Sequence, residues 1–504
     1  MSRWRRWTIF AVLLPFRGVD LRPEVGWHAG MRSCLTALLS LVIVASSALA
    51  QAPKPNIILI LADDLGYGEL GSYGQKIIRT PHLDRLAAEG MRFTQFYAGN
   101  TVCAPSRSVL MTGLHMGHTR VRGNAGGRNM EAQSLRTGDI TVARVLQQTG
   151  YATGLVGKWG LGELNSEGEP RKQGFDYYFG FLNQTHAHNH FPGYLWRNGE
   201  KVPLPNVVTA VGDTEGAGYA TKRVVYADDL CAEDSRAFIE RNRDKPFFLF
   251  VSLVTPHANN ERSRVLGDGN EVPDYGDYAN QPWKDSVKGH AAMISRLDRD
   301  VGRLMAQLKE LNLDERTIVF FSSDNGPHRE GGPDYEPEFF TASGPLRGIK
   351  RSLTDGGIRV PFLARWPGKI KAGAVSDHVG YFGDMMATWS ELAGGRPPAK
   401  LDSISLVPTL LGRGRQEKHE YLYWEFYEQG VSQAVLLDGH WKAIRLKTLT
   451  APIELYDLSS NLAEKPDVAA QHPDLVRRAA ELFKSARFDN EHWKLTAAPA
   501  AAKK

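Results

Sequence analysis

Asn56-Ile57-Ile58-Leu59-Ile60-Leu61-Ala62-Asp63-Asp64-Leu65-Gly66 decides how this chain is read. From Ile57 to Ala62 no polar residue interrupts the run. That marks a strand buried on both faces rather than one with a wet side. Two carboxylates follow at once. Three further apolar runs end in the same manner. Tyr151–Val156 leads into Gly157-Lys158-Trp159-Gly160, Pro246–Val254 into Thr255-Pro256-His257, and Arg316–Phe321 into Ser322-Ser323-Asp324-Asn325-Gly326. Between them lie helical patterns. Thr80-Pro81 opens one that Gly90 stops, and Asp139–Gln148 and Asp228–Arg241 are others. Residues 290–311 carry an apolar stripe of Met293, Leu297, Val301, Leu304, Leu308 and Leu311. A short strand follows at Pro361–Trp366. This alternation predicts an α/β fold: a large mixed, mostly parallel sheet flanked by helices. Ligands of such sheets gather at the carboxyl ends of the strands. Asp63, Asp64, Lys158, His257, Asp324 and Asn325 are therefore expected to meet in one polar site.

Beyond Gly394-Gly395-Arg396-Pro397-Pro398 the texture changes. Glu420–Glu425, Ala434–Leu437 and Trp441–Leu446 read as short antiparallel strands, followed by a helix over Asp474–Arg487. The expected organisation is a catalytic domain over 54–395, a smaller C-terminal subdomain of antiparallel sheet and helix over 396–490, and a disordered tail over 491–504. Residues 163–223 show little periodicity and read as loops with a hairpin around Trp196-Arg197-Asn198-Gly199.

The formal net charge is +5. Residues 1–50 hold six arginines and two acids, so 55 basic against 54 acidic residues remain after them. The excess belongs to the leader, and no nucleic-acid partner is expected. Met31-Arg32, the apolar Cys34–Ala45 and Ala48-Leu49-Ala50 read as an export signal over residues 31–50, cleaved before Gln51. The apolar stretch is too short for a comfortable membrane span. The expected location is the bacterial periplasm, with no stable membrane span. Residues 1–30 contain Pro15, Pro23, Trp4, Trp7 and Trp27, unlike the start of a signal, so translation is expected to begin at Met31. Cleavage leaves Cys103 and Cys231. An exported protein can pair them, but a chemical role for Cys103 leaves Cys231 single, and no disulfide is expected.

Cys103-Ala104-Pro105-Ser106-Arg107-Ser108-Val109-Leu110-Met111-Thr112-Gly113 holds the candidate nucleophile. Cys103 and Arg107 share one helical face, and Pro105 suits a first turn. The helix mouth and Arg107 surround residue 103 with positive potential, as a nucleophile that meets an anion requires. A bare Cys-x-x-x-Arg is more often a buried structural cysteine beside a surface arginine. Asp63, Asp64, Asp324 and Asn325 are hard oxygen ligands suited to Ca²⁺, or less well Mg²⁺, rather than zinc. Adjacent aspartates alone fit a cap or turn, but the second pair at another strand end favours a metal. Cations beside a metal (Arg107, Lys158 and Lys350) make sense around a tetrahedral oxyanion, sulfate or phosphate. His257 is placed to protonate a departing oxygen.

The string from Cys103 to Gly113 resembles the signature of the type I, formylglycine-dependent sulfatases. Asn56–Gly66 resembles their first metal strand, and Gly157-Lys158-Trp159 their sulfate-binding lysine motif. Ser323–Gly326 is similar to their second metal pair, and Leu346-Arg347-Gly348-Ile349-Lys350 with Asp355–Pro361 to their late lysine loop. Glu454–Leu458 and Ala463–Asp467 resemble their C-terminal region. The resemblance implies that a formylglycine-generating maturation enzyme oxidises Cys103 and that the hydrated aldehyde, polarised by Ca²⁺, attacks the sulfur of a sulfate monoester. It implies that Cys103 joins the metal ligands, that Arg107, Lys158 and Lys350 hold the sulfate, and that His257 serves the leaving oxygen.

One departure stands out. Many members carry Lys-x-His, whereas this chain reads Lys158-Trp159-Gly160, which leaves the base for sulfate release unassigned. Asn183–His190 offers His186 and His188 as replacements or sugar contacts; a zinc site there lacks partners at suitable spacing. Asn259 is a further candidate for reading sugar hydroxyls. His115 and His118 read as structural helix-end residues. The expected substrate is a sulfated small molecule or glycan. Two alternatives stay open: a phosphoester or phosphonate hydrolase of the wider alkaline-phosphatase-like superfamily, and a catalytically dead binder of sulfated glycans.

Overall fold

The computed structural model of the protein describes residues 54–124, 129–428 and 430–495; the expected leader over 1–50 lies outside them. A ten-stranded sheet runs in spatial order Ala374–Ser376, Met91–Phe93, Phe362–Arg365, Thr317–Ser323, Asn56–Asp63, Phe247–Pro256, Ala152–Lys158, Tyr177–Phe181, Tyr194–Arg197 and Glu200–Pro203. The five strands from Thr317–Ser323 to Tyr177–Phe181 are mutually parallel. Phe362–Arg365 and Tyr194–Arg197 join them antiparallel, so the sheet is mixed at both flanks.

Along Asn56–Asp63 every residue is buried, and alternate side chains enter different cores. Ile57, Leu59 and Leu61 pack with Val109 and Leu110 of the helix Cys103–Thr112, Val145 and Leu146 of Val142–Gln148, and Met385 and Trp389 of Asp384–Leu392. Ile58, Ile60 and Ala62 pack with Leu83 and Leu86 of Pro81–Ala88, Phe238 of Ala227–Asn242 and Leu297, Val301 and Leu304 of Asp285–Glu310. Covered faces explain the absence of a polar alternation. Each fully buried leucine or isoleucine contributes about 1.5–3 kcal/mol.

The strands Tyr421–Phe426, Ser432–Leu437, Trp441–Arg445 and Glu454–Asp457 form an antiparallel sheet of four, with the helix Pro473–Ser485 packed against it. Leu422, Trp424 and Val435 share the core that also holds Tyr97 and Trp389. A buried ion pair adds to this join: Lys442 Nζ donates to Asp355 Oδ1 at 2.7 Å.

Three expectations need correction. The stretch 163–223 is not all loop: Tyr177–Phe181 extends the main sheet, the hairpin continues it, and Val207–Ala210 pairs with Gly218–Lys222. Tyr177–Phe181 is short and interrupted by Gly180, so it shows no alternation. The helix expected from Asp139 starts at Val142, where Thr141 accepts from Arg144 N–H as N-cap. Over 491–495 the chain is packed rather than disordered: Trp493 donates to Ala132 O, and its ring lies 5.2 Å from Tyr427.

Candidate active site

The parallel strands deliver their last residues to one place. Asp63 ends its strand, Lys158 ends the next but one, His257 follows Pro256, and Asp324-Asn325 follow Ser323. All are almost wholly buried. Asp64 adopts φ 68°, a left-handed conformation that aspartate tolerates. Its N–H donates to Asp324 Oδ1 at 3.2 Å, and Asn325 Nδ2 donates to Asp64 Oδ1 at 2.7 Å. Gly326 is required by close approach: a Cβ there would lie 1.9 Å from Gly356 O, where the metal-pair loop meets the lysine loop.

Cys103 is the first residue of its helix, as the signature predicts. Its thiol donates to Asp63 Oδ1 at 3.4 Å. One turn on, Arg107 is 1% exposed. Its Nε donates to Asp324 Oδ2 at 3.0 Å, its Nη1 to Lys158 O at 2.8 Å and to Ser252 Oγ, and its Nη2 lies 3.6 Å from Asp63 Oδ2. Lys158 Nζ donates to the same Asp63 oxygen. Burial and the Asp63 charge push the Cys103 thiol well above its ordinary range, against Lys158 and Lys350.

On the other side, Lys350 Nζ donates to Asp64 Oδ2 at 2.7 Å and Glu330 Oε2 at 2.8 Å, and lies 3.2 Å from His257 Nε2. Burial, then Lys350, holds His257 well below its ordinary value, so the ring is neutral. Its Nδ1 lies 2.6 Å from Ala258 O, which places the proton there and leaves the Nε2 lone pair toward Lys350. His188 stacks on His257 at 4.7 Å, and its Nδ1 is 2.9 Å from Glu261 Oε2.

The donor set fits a hard divalent cation. Asn325 Oδ1 is buried with no partner, on a side chain whose Nδ2 donates to Asp64. Ligand atoms of Asp63, Asp64, Cys103 and His257 lie within 4.8 Å of one another. Burial, with the Asp63 and Glu330 charges, outweighs Lys350 and pushes Asp64 up to about 6. Burial and Asp63 push Asp324 up to about 7. Against its own burial, Lys158 and Arg107 hold Asp63 well below the usual carboxylate range. Oxygen donors crowded in this way suit Ca²⁺ or Mg²⁺.

Two sequence candidates fall elsewhere. Asn259 is the N-cap of Asn260–Leu266: its side chain accepts from Arg262 N–H and donates to Gly218 O and Glu271 Oε2. The Asn259 side chain is thus engaged within the fold as a helix cap. His186 packs on Phe181 and Tyr194 rather than on His257. His115 and His118 stack on each other at 4.2 Å beside Asp402. At Gly160 (φ 79°), a Cβ would lie 3.0 Å from Gln184 Cγ. Gln184 Nε2 donates to Asn124 Oδ1 at 3.3 Å, and that oxygen also accepts from Ala104 N–H at 3.1 Å. A carboxamide pair thus fills the space beside Gly160 and braces the first turn of the Cys103 helix. Glu330, Glu261 and Ser252 were missed. Glu330 and Glu261 lie in stretches without pattern, whereas Ser252, a hydroxyl inside the apolar run Phe247–Val254, was a usable signal.

The chain matches a family model described as Sulfatase over residues 55–395, and one described as N-sulphoglucosamine sulphohydrolase, C-terminal, over 349–484. It is 31% identical to an N-acetylgalactosamine-6-O-sulfatase of Bacteroides thetaiotaomicron, covering 86% of this chain and 93% of that protein. Human arylsulfatase A is 33% identical, over 78% of this chain and 75% of its own length. The solved structure of Ps i-CgsB in complex with k-i-k-neocarrahexaose superposes with a TM-score of 0.72 at 27% identity, covering 87% of this chain and 94% of that one. With the strand-end carboxylates, the buried cations and the Cys103 helix in one site, the chain belongs to the sulfatase family, the sulfuric ester hydrolases of the alkaline-phosphatase-like superfamily.

Proposed function

We propose that the protein is an exported sulfatase that removes sulfate from a sulfated carbohydrate, with residue 103 as the attacking group. The observation that carries this reading is the placement of Arg107, Lys158 and Lys350 around carboxylates at the strand ends, with residue 103 among them. The relative that acts on N-acetylgalactosamine sulfate and the neighbour that holds a neocarrahexaose support a sugar substrate.

Formylglycine, made from Cys103 by a separate maturation enzyme, brings an aldehyde hydrate: an oxygen nucleophile that can let sulfate go again. Asp63, Asp64, Asp324 and Asn325 would hold the calcium ion, which when bound would supply Lewis-acid polarisation at that point. The chain's own side chains do the rest. Arg107 and Lys158 hold the non-bridging sulfate oxygens and take up charge that develops on them. Lys350 and His257, 3.2 Å apart, pass one proton to the bridging oxygen as its bond to sulfur breaks. His188, fixed by Glu261, contacts the sugar that carries this oxygen. Residues 54–395 hold the chemistry, and 396–490 brace the lysine loop through Lys442 and Asp355. A protein that only binds sulfated glycans has no need of the proton-transfer pair.

The test uses protein co-expressed with a formylglycine-generating enzyme and assayed on nitrophenyl sulfate, nitrophenyl phosphate and a panel of monosaccharides sulfated at single positions. Turnover of nitrophenyl sulfate and of at least one sugar sulfate is expected. Turnover of the phosphate with none of the sulfates would overturn the reading.

A further inference from the structure

The segment Asn183–His188 has two sides. Gln184 and His188 face the site, through Asn124 and through His257. His186, between them, lines a separate cavity of about 380 Å³. Trp196 and Tyr194 form part of its wall, with rings edge to face at 5.6 Å. Glu163, Asp213 and Glu215 supply carboxylate acceptors. His186 is 1% exposed, and its Nε2 is buried with no partner.

The electrostatics are opposite to those of the sulfate site. Among the described residues, no lysine or arginine lines this cavity. Lys201, which lies nearby, is taken up by Glu215 and lies over the Tyr194 ring at 4.5 Å. His186 is no cation either, since burial lowers it to about 4. A sulfate or uronate group placed here would meet Glu163, Asp213 and Glu215, and among the described residues the cation beside them, Lys201, is already paired with Glu215. An uncharged sugar meets aromatic faces for its C–H groups and acceptors for its hydroxyls.

We propose that this cavity is a subsite for an uncharged sugar residue, linked to the sulfated sugar held at residue 103 and His257, and that it rejects a second sulfate. The proposal rests on the sulfated-carbohydrate reading above. The enzyme thereby removes sulfate from a residue whose neighbour has already lost, or never carried, its charge.

For the monosaccharide sulfate hydrolysed fastest in the panel, kcat/KM is compared with that of two disaccharides, one with an unsulfated neighbour and one with a sulfated neighbour. The unsulfated neighbour is expected to raise kcat/KM about tenfold and the sulfated one to lower it below the monosaccharide. Trp196→Ala should remove the gain and leave the monosaccharide unchanged. Glu215→Gln, which frees Lys201, should relieve the penalty on the second sulfate. Equal kcat/KM for the monosaccharide and the unsulfated disaccharide, unchanged by Trp196→Ala, overturns the proposal. If nitrophenyl sulfate is hydrolysed and no sugar sulfate is, the carbohydrate reading fails. The cavity is then judged alone, by saturation-transfer NMR with unsulfated N-acetyllactosamine. Transfer that Trp196→Ala abolishes supports the subsite; no transfer, or transfer that survives the substitution, overturns it.

Discussion

Replacing Lys350 by methionine isolates one charge at the heart of the site. Methionine keeps most of the stem and removes the ammonium, which sits 2.7 Å from Asp64 Oδ2, 2.8 Å from Glu330 Oε2 and 3.2 Å from His257 Nε2. Breaking an isolated buried ion pair costs about 3–5 kcal/mol. Here the partners keep other contacts: Glu330 retains Arg351, and Asp64 retains Asn325 Nδ2. The expected folding cost is therefore about 1–3 kcal/mol, and the variant should remain folded. The catalytic cost is larger, because a lost charge-stabilising donor removes roughly 10²–10³ from kcat. Leaving groups make the assay diagnostic. A nitrophenolate departs with little help, whereas a sugar alkoxide needs the proton that Lys350 and His257 supply. The loss in kcat should thus be greater for the sugar sulfate than for nitrophenyl sulfate, and KM should change less than kcat. Circular dichroism and Tm verify the fold. A folded Lys350→Met enzyme with near-wild-type kcat on the sugar sulfate would refute the reasoning.

Three other outcomes follow from buried charge. Lys442→Met leaves Glu464 without its buried ammonium while Asp355 keeps Arg359 and the Tyr97 hydroxyl, and should cost about 1–3 kcal/mol, read as a lower urea midpoint, with activity falling alongside because Asp355 adjoins the lysine loop. His115, lowered to about 4 by burial, is neutral in the folded protein, so its stabilising contribution is complete above about pH 6.5 and is lost as pH falls toward 4. His115→Asn, which can still accept from Gly117 N–H, should gain on the wild type by up to about 3 kcal/mol between pH 7 and pH 4 in urea titrations; a pH-independent difference would contradict this. Exhaustive chelation should abolish sulfatase turnover and lower Tm, with Ca²⁺ restoring both, since the buried Asn325 oxygen has no other partner and a divalent ion draws Asp63, Asp64 and Asp324 to one point. Full activity after chelation would contradict the ligand assignment.

The sequence exposed what depends on burial along one dimension. Ile57–Ala62 and Phe247–Val254 are legible because a strand covered on both faces can carry no polar alternation, and a charge at its end has only the sheet edge to occupy. The convergence of Asp63, Lys158, His257 and Asp324 followed from that alone. Lys350 did not. It sits in a loop, where no strand end fixes its position, and the likeness of Leu346–Lys350 to a family motif strengthened its place among the cations. Tyr177–Phe181 was hidden because Gly180 breaks its pattern and its pairing with Ala152–Lys158 is a long-range fact. That Asn259 caps a helix was not legible, because the short helix Asn260–Leu266 carries no clear apolar period. Alternate histidines gave no hint that His188 would stack on His257 while His186 turned away; a short helix over Gln184–Ala187 separates them.

The central claim is that residue 103 works as formylglycine and that the thiol is inert. The most direct test is mass spectrometry of the peptide that contains residue 103, from protein made with graded amounts of the maturation enzyme, set against specific activity on nitrophenyl sulfate. Specific activity should rise in proportion to the fraction converted from CH₂–SH to CHO, and extrapolate to zero for the unconverted cysteine. Activity at full strength in protein whose residue 103 is entirely cysteine would contradict the account.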